Sequence, residues 1–170
     1  DEEACFAYVL DEEEGKQYVG KHLITSENYD VLVCSWRSGM GGKYYVANYR
    51  NPAGLTGKCF LVHKVPNTLK DLEEIMFKEQ TQKVQNLTRE PESDVSDAVL
   101  DELNRESTGS LKEIVKTIHA SQYPIISAPR GGLHVVQGAP GTGKTVVGVH
   151  RASWLLYPGN DAELKAQKLL

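Results

Sequence analysis

Between Gly138 and Thr145 the chain reads Gly-Ala-Pro-Gly-Thr-Gly-Lys-Thr, which satisfies the pattern G-x-x-x-x-G-K-[ST]. That run constrains the fold more than any other, because it is useful only as a tight turn between a strand and a helix. Leu133-His134-Val135-Val136, just upstream, is a continuous apolar run of the kind that makes a buried parallel strand. Downstream, Lys144 to about Tyr157 reads as a helix. Strand, glycine-rich turn and helix in that order predict an α/β domain built on a parallel sheet.

The chemistry of the turn follows from its residue types. Glycines let the backbone curl so that its N–H groups converge on an anion, and the helix N-terminus adds partial positive charge. Gly138, Ala139, Pro140, Gly141, Thr142 and Gly143 would form the wrapping. Lys144 would reach the β- and γ-phosphates of a nucleoside triphosphate, and the Thr145 hydroxyl would ligate the Mg²⁺ between them. Lys144 and Thr145 are thus the expected catalytic residues, with ATP and Mg²⁺ as cofactors.

Size and charge set bounds on this reading. The 170 residues suffice for one ordinary domain, or for a small domain with part of another. No apolar run approaches the roughly 20 residues of a membrane span, and the acidic start lacks the features of a secretory signal, so a cytoplasmic protein with no membrane partner is expected. The net charge of −4 gives no long-range attraction to nucleic acid, although a local groove could still bind it. Asp11 to Gly15 reads as a solvated hairpin turn. Cys5, Cys34 and Cys59 are widely spaced in apolar surroundings and read as reduced core thiols, not as disulfides or zinc ligands.

Three regions are expected. Residues 1–66 read as a small antiparallel β-rich region with strands at Phe6 to Leu10, Gln17 to Ile24, Tyr29 to Ser35, Tyr44 to Val46 and Cys59 to Val65. Turns are expected at Ser26 to Asn28, Gly39 to Gly42 and Asn51 to Gly54. Residues 67–106 read as connecting helices, one amphipathic from Thr68 to about Leu87 and another over Val95 to Arg105, with a polar linker at Thr88 to Asp94. Residues 107–170 read as the N-terminal part of the nucleotide-binding domain, opened by a helix from Leu111 that ends just before Pro124.

The residues around the turn carry a resemblance. Gln122-Tyr123-Pro124-Ile125-Ile126-Ser127-Ala128-Pro129, Leu133 to Gly138 and Val149-His150-Arg151-Ala152-Ser153-Trp154-Leu155 resemble the opening of superfamily 1 helicases of the UvrD, Rep and PcrA type. The resemblance implies a RecA-like domain. It also implies that Gln122 belongs to a Q motif whose side-chain amide pairs with adenine in bidentate fashion. Val146 stands where these helicases usually carry an Arg that stacks on adenine; it is assigned to the nucleotide-binding surface without that stacking. His150 and Arg151 are expected to be packing and hydrogen-bonding residues of the helix.

Further landmarks narrow the resemblance to the HelD-type helicase-like proteins that associate with bacterial RNA polymerase. Tyr18-Val19-Gly20-Lys21 resembles that family's Tyr-x-Gly-Arg segment, Ser35-Trp36-Arg37-Ser38-Gly39 its Asp-Trp-Arg-Ala-Pro segment, and Tyr44-Tyr45 follows at a similar interval. Lys21, Ser35 and Gly39 depart from the family pattern, as expected of a divergent member. Trp36 with Arg37 reads as a packed aromatic with a stacked cation at least as readily as a contact surface.

The resemblance implies an α/β protein: the start of a RecA-like P-loop NTPase domain, preceded by a small β-rich region and connecting helices. It implies the ATP-binding portion of a helicase-like motor that acts on RNA polymerase or, alternatively, translocates on DNA. A coiled-coil arm upstream would favour the first, a channel for single-stranded DNA the second. A nonenzymatic protein-binding module is the third reading. The acidic motif and arginine fingers needed for hydrolysis are not found before Leu170, so little or no ATPase activity is expected of this chain alone.

Overall fold

The computed structural model describes residues 3–64, 68–77 and 114–160, and the chain divides into two compact units, Asp1–Ile118 and His119–Leu170. The described residues of the first contain a six-stranded mixed sheet. Its strands are β1 (Ala7–Asp11), β2 (Gly15–Gly20), β3 (Ile24–Thr25), β4 (Val31–Ser35), β5 (Leu55–Lys64) and β6 (Thr68–Met76), in the order β3-β4-β2-β1-β5-β6. All neighbours are antiparallel except β2 and β4, which run parallel through Val19↔Cys34 and Gly20↔Ser35.

Local chemistry makes the turns. Asp11 Oδ1 accepts the N–H groups of Glu13 and Glu14 at 3.0 and 3.1 Å, closing the acidic hairpin expected at Asp11 to Gly15. Its other oxygen accepts from Lys43 Nζ, and this ion pair holds the Asp11 carboxyl below its ordinary pKa against the opposing effect of burial. In the β3–β4 hairpin Ser26 Oγ accepts the N–H groups of Asn28 and Asp30 at 3.2 and 3.1 Å.

One helix, α1 (Gly39–Val46), packs within this unit. It replaces two sequence expectations, the turn at Gly39 to Gly42 and the strand at Tyr44 to Val46. Helix propensity over Gly39-Met40-Gly41-Gly42 is poor, but tertiary packing overrides it. Ser38 caps the helix by accepting the Gly41 N–H at 3.0 Å. A Cβ at Gly41 would lie 2.2 Å from the Ser35 carbonyl oxygen, so only glycine permits this approach. At the other end Lys58 Nζ, from β5, donates to the carbonyls of Tyr44 and Ala47 at 3.0 and 2.7 Å. The buried Tyr44 and Tyr45 rings meet edge to face at 5.1 Å, and further edge contacts reach Phe6 and Trp36.

Two other helix expectations are corrected. Residues 68–76, expected as the start of an amphipathic helix, form β6, because the open edge of the long β5 pairs their backbone from Gly57↔Met76 to Lys64↔Thr68. Leu69 and Leu72, taken as a helix face, are half exposed on this edge strand. Tyr8 Oη donates to Glu74 Oε1 at 2.7 Å, tying β1 to β6. The rest of that helix, the linker and the helix at Val95 to Arg105 lie outside the described residues. Of the helix expected from Leu111 to just before Pro124, residues 111–113 lie outside the described residues, and the part that is described holds a 3₁₀ turn, Ile114–Thr117. Tyr45 Oη donates to the Val115 carbonyl at 2.8 Å, and Lys116 pairs with Glu3.

The second unit contains α2 (Tyr123–Ile126) and α3 (Lys144–Leu155). Pro124 opens α2 rather than stopping a helix, since proline is tolerated in a first turn where its missing N–H has no partner. α3 matches the helix expected after the glycine-rich turn. The buried parallel strand expected at Leu133 to Val136 is not formed: Leu133 is 90% and Val135 79% exposed. A buried parallel strand needs a strand to pair with and cover on both faces, and no strand stands beside it among the described residues of this unit. The parallel sheet expected of an α/β domain is therefore absent among them.

Candidate phosphate-binding loop

The site begins one turn before α2. Gln122 N–H and Tyr123 N–H both donate to the His119 carbonyl, at 2.8 and 3.1 Å, and the Gln122 side-chain Oε1 accepts the His119 N–H at 3.2 Å. Tyr123 and Ile126 anchor α2 by burial, which pushes the Tyr123 phenol up to about 12.

From Pro129 the chain runs exposed to the glycine-rich turn. His134 Nε2 lies 3.2 Å from the carbonyl oxygens of both Pro129 and Gly131 and folds this stretch on itself. Gly138 to Thr142 is exposed. Within it Thr142 donates to the Ala139 carbonyl through its N–H at 3.3 Å and its hydroxyl at 2.8 Å. Gly143, at φ +80°, is the N-cap of α3, where its left-handed backbone turns the loop into the helix.

Lys144 is the first residue of α3, and its Nζ bends back to donate to the carbonyls of Gly138 and Ala139 at 2.9 and 2.7 Å. The ammonium thus lies across the loop. Thr145 is exposed, Val146 half-buried and Val147 buried. Gln122 belongs to the same locality: a Cβ on Gly143 would lie 3.5 Å from Gln122 Nε2. The two segments that the sequence proposed as one site, Gln122 and Gly138 to Val146, are therefore adjacent at this point.

Two residues of α3 that the sequence treated as packing positions have defined surroundings. His150 is buried, and burial lowers its imidazole pKa below the ordinary value. Arg151 Nη1 donates to the carbonyls of Ala128 and Ile125 at 2.7 and 3.0 Å, with Ile126 at the margin at 3.5 Å; Nη2 donates to Pro129 at 2.9 Å. Sequence reasoning missed the reach of this guanidinium into the Gln122 segment. The available signal was spacing, since Lys144 and Arg151 are two helical turns apart and share one face of α3.

Chemically, the loop offers exposed backbone N–H groups, an ammonium and a hydroxyl at the start of a twelve-residue helix. Among the described residues no group of three or more His, Cys, Asp or Glu side chains could hold a metal ion, and no helix is long and apolar enough to cross a membrane. Cys5, Cys34 and Cys59 are free, and burial raises all three thiols above their ordinary pKa, as suits core residues.

Of the landmarks outside the loop, Val19, Gly20, Ser35, Trp36, Tyr44 and Tyr45 are buried, whereas Tyr18 and Gly39 are exposed. A Cβ on Gly20 would lie 2.3 Å from the Ala4 carbonyl oxygen, Trp36 is 2% exposed, and both Tyr44 and Tyr45 are buried. The Arg37 guanidinium lies 6.0 Å from the Trp36 ring centroid, and its Nε donates to Ser35 Oγ at 3.4 Å, so the Trp-Arg segment is a packed pair. No curated protein matches the chain. Residues 1–88 match the family model described as DNA helicase IV HelD, N-terminal domain. That match spans more than half of the 170 residues and contains every one of these core landmarks, so the chain belongs to the HelD family.

Proposed function

We propose that Gly138 to Thr145 wraps the β- and γ-phosphates of ATP, and that the chain is the ATP-binding N-terminal portion of a superfamily 1 helicase-like motor ATPase. Membership of a helicase family supports this reading. The observation that carries it is the loop itself: exposed residues lead into an α-helix, and the Lys144 ammonium reaches back over them to the Gly138 and Ala139 carbonyls. A side chain at Gly138 would meet Thr142 Oγ1 at 2.6 Å, while Gly141 and Gly143 hold the positive φ angles, +82° and +80°, that other residues rarely adopt.

Lys144 would exchange two carbonyl oxygens for phosphate oxygens, a gain for a cation held in a neutral site. The exposed Thr145 hydroxyl would supply one ligand to Mg²⁺, which keeps several waters and phosphate oxygens of its own. Magnesium, when bound, neutralises phosphate charge. Gln122 would read the adenine edge, its Oε1 having a second lone pair beyond the one taken by His119. A RecA-like identity for the second unit is part of the same proposal and rests on the loop pattern and α3.

Lys144→Ala is expected to abolish MgATP binding and to leave the fold intact. Calorimetry checks this, and unchanged affinity in that variant removes the assignment. The motor would act on RNA polymerase or on nucleic acid. The DNA reading is favoured by the family description, which names a DNA helicase. Retention of single-stranded DNA with a steep loss on adding salt would support it; retention of polymerase without DNA would support the other.

A further inference from the structure

We propose that Arg151 is a positioning residue for adenine selectivity: it sets Gln122 against the loop by gripping the carbonyls that follow Gln122, Ile125 in α2 and Ala128 and Pro129 just beyond it. This rests on the ATP-binding reading above. α2 is four residues long, so its carbonyl oxygens have few partners in the helix and together carry partial negative charge. Arg151 answers both needs. One guanidinium nitrogen takes Ala128 and Ile125, the other takes Pro129, and the planar fork spans acceptors that one ammonium could not.

The grip is transmitted to Gln122 through hydrogen bonds. Ile125 and Ile126 N–H groups donate to the Gln122 carbonyl at 3.1 Å each, so the residues that Arg151 holds by their oxygens hold Gln122 by their nitrogens. Gln122 is held from the other side by its paired bonds with His119. Its Nε2 is left beside Gly143, immediately before Lys144. Both ends of the clamp therefore lie on α3: the loop and Lys144 at its first turn, Arg151 two turns later. An amide that must read a base in bidentate fashion tolerates little displacement, and a shift of about 1 Å is costly.

The experiment compares Arg151→Met, Arg151→Lys, Gln122→Ala and the Arg151→Met/Gln122→Ala pair. Two readouts are needed: the ¹H–¹⁵N resonance of the Gln122 side-chain amide in the nucleotide-free chain, and affinities for MgATP, MgGTP and magnesium tripolyphosphate. Arg151→Met is expected to shift or broaden the Gln122 amide. It should weaken MgATP about tenfold toward MgGTP and change tripolyphosphate affinity by less than about twofold. Gln122→Ala should change the three affinities in the same way, and the double variant should be no worse than either single one.

Arg151→Lys, which keeps charge and stem, should fall between wild type and Arg151→Met while retaining α3 by circular dichroism. It decides the matter should Arg151→Met not fold. An unmoved Gln122 amide, retained preference for ATP, or additive losses in the double variant overturn the proposal. Should the wild-type chain bind neither MgATP nor tripolyphosphate, the ATP reading fails, and the amide resonance alone decides whether Arg151 positions Gln122.

Discussion

In the first unit buried side chains determine the backbone; in the second, the distinctive loop is exposed and rests on glycines and on a few side chains that meet its carbonyls. Around α1 each sharp feature has a buried group that fixes it: Ser38 at the cap, Lys58 at the exit, interlocked tyrosines between. From Pro129 to Thr142 the chain is exposed, and its shape is set by glycines and by His134, Thr142 and Lys144, whose side chains meet its backbone carbonyls. The family match falls in the first kind of region and the phosphate-loop motif in the second. A buried mosaic of rings and close backbone contacts identifies a lineage, whereas a short glycine pattern identifies a chemistry.

The sharpest way to break this contrast is Gly41→Val. Its Cβ would collide with the Ser35 and Trp36 backbone, and we expect a loss of about 3 kcal/mol or more in the first unit. Each unit holds one tryptophan, Trp36 and Trp154, so denaturant unfolding of single-tryptophan variants reads them separately. The Trp154 transition should stay in place, and if both move together the two regions are not energetically distinct.

Next in size is Asp11→Asn, which keeps an oxygen for the turn but removes the charge facing Lys43; a cost of about 2 kcal/mol at neutral pH is expected. The Asp11 pKa is lowered on folding, so its contribution is full above the unfolded value of about 3.9 and is lost as pH falls through the folded one. Acid unfolding followed at Trp36 should lose that component in Asp11→Asn.

His150 sharpens the contrast in the opposite unit and at a different pH. Burial lowers its pKa, so below the unfolded value of about 6.5 the unfolded chain takes up a proton that the folded one resists. Stability at Trp154 should therefore decline from about pH 6.5 downward, by no more than about 1.4 kcal/mol per pH unit. His150→Phe should flatten that slope. The smallest effect is expected from Leu133→Ser, within about 0.5 kcal/mol, because the side chain is already in water; a large loss there would mean that the exposed segment is structural after all.

Legibility followed the same division. The acidic hairpin and the helix after Gly143 could be read because their signals are local: an Asp that bonds its own turn, a Gly-Lys-Thr start. α1 could not, since the reason Gly39 to Gly42 is helical lies in the approach of Gly41 to Ser35 and in rings brought from Phe6 and Trp36. β6 was hidden by the coincidence that Leu69, Leu72, Ile75 and Met76 also satisfy helical spacing, and only the length of β5 decides between the two. In the site, the pattern nominated the loop and the helicase resemblance nominated Gln122, but the fork of Arg151 onto four carbonyls has no sequence signature beyond helical phase.

The pairing of β1 with β5 has a consequence for synthesis. Ala7 stands opposite Phe60 in register, so while the protein is being translated the outer edge of β1 waits for more than fifty further residues before its partner emerges. The β1–β2 hairpin can close early, but during that interval it offers an open hydrogen-bonding edge to other nascent chains. A slow ribosome would prolong the exposure, and a chaperone occupying that edge would shorten it.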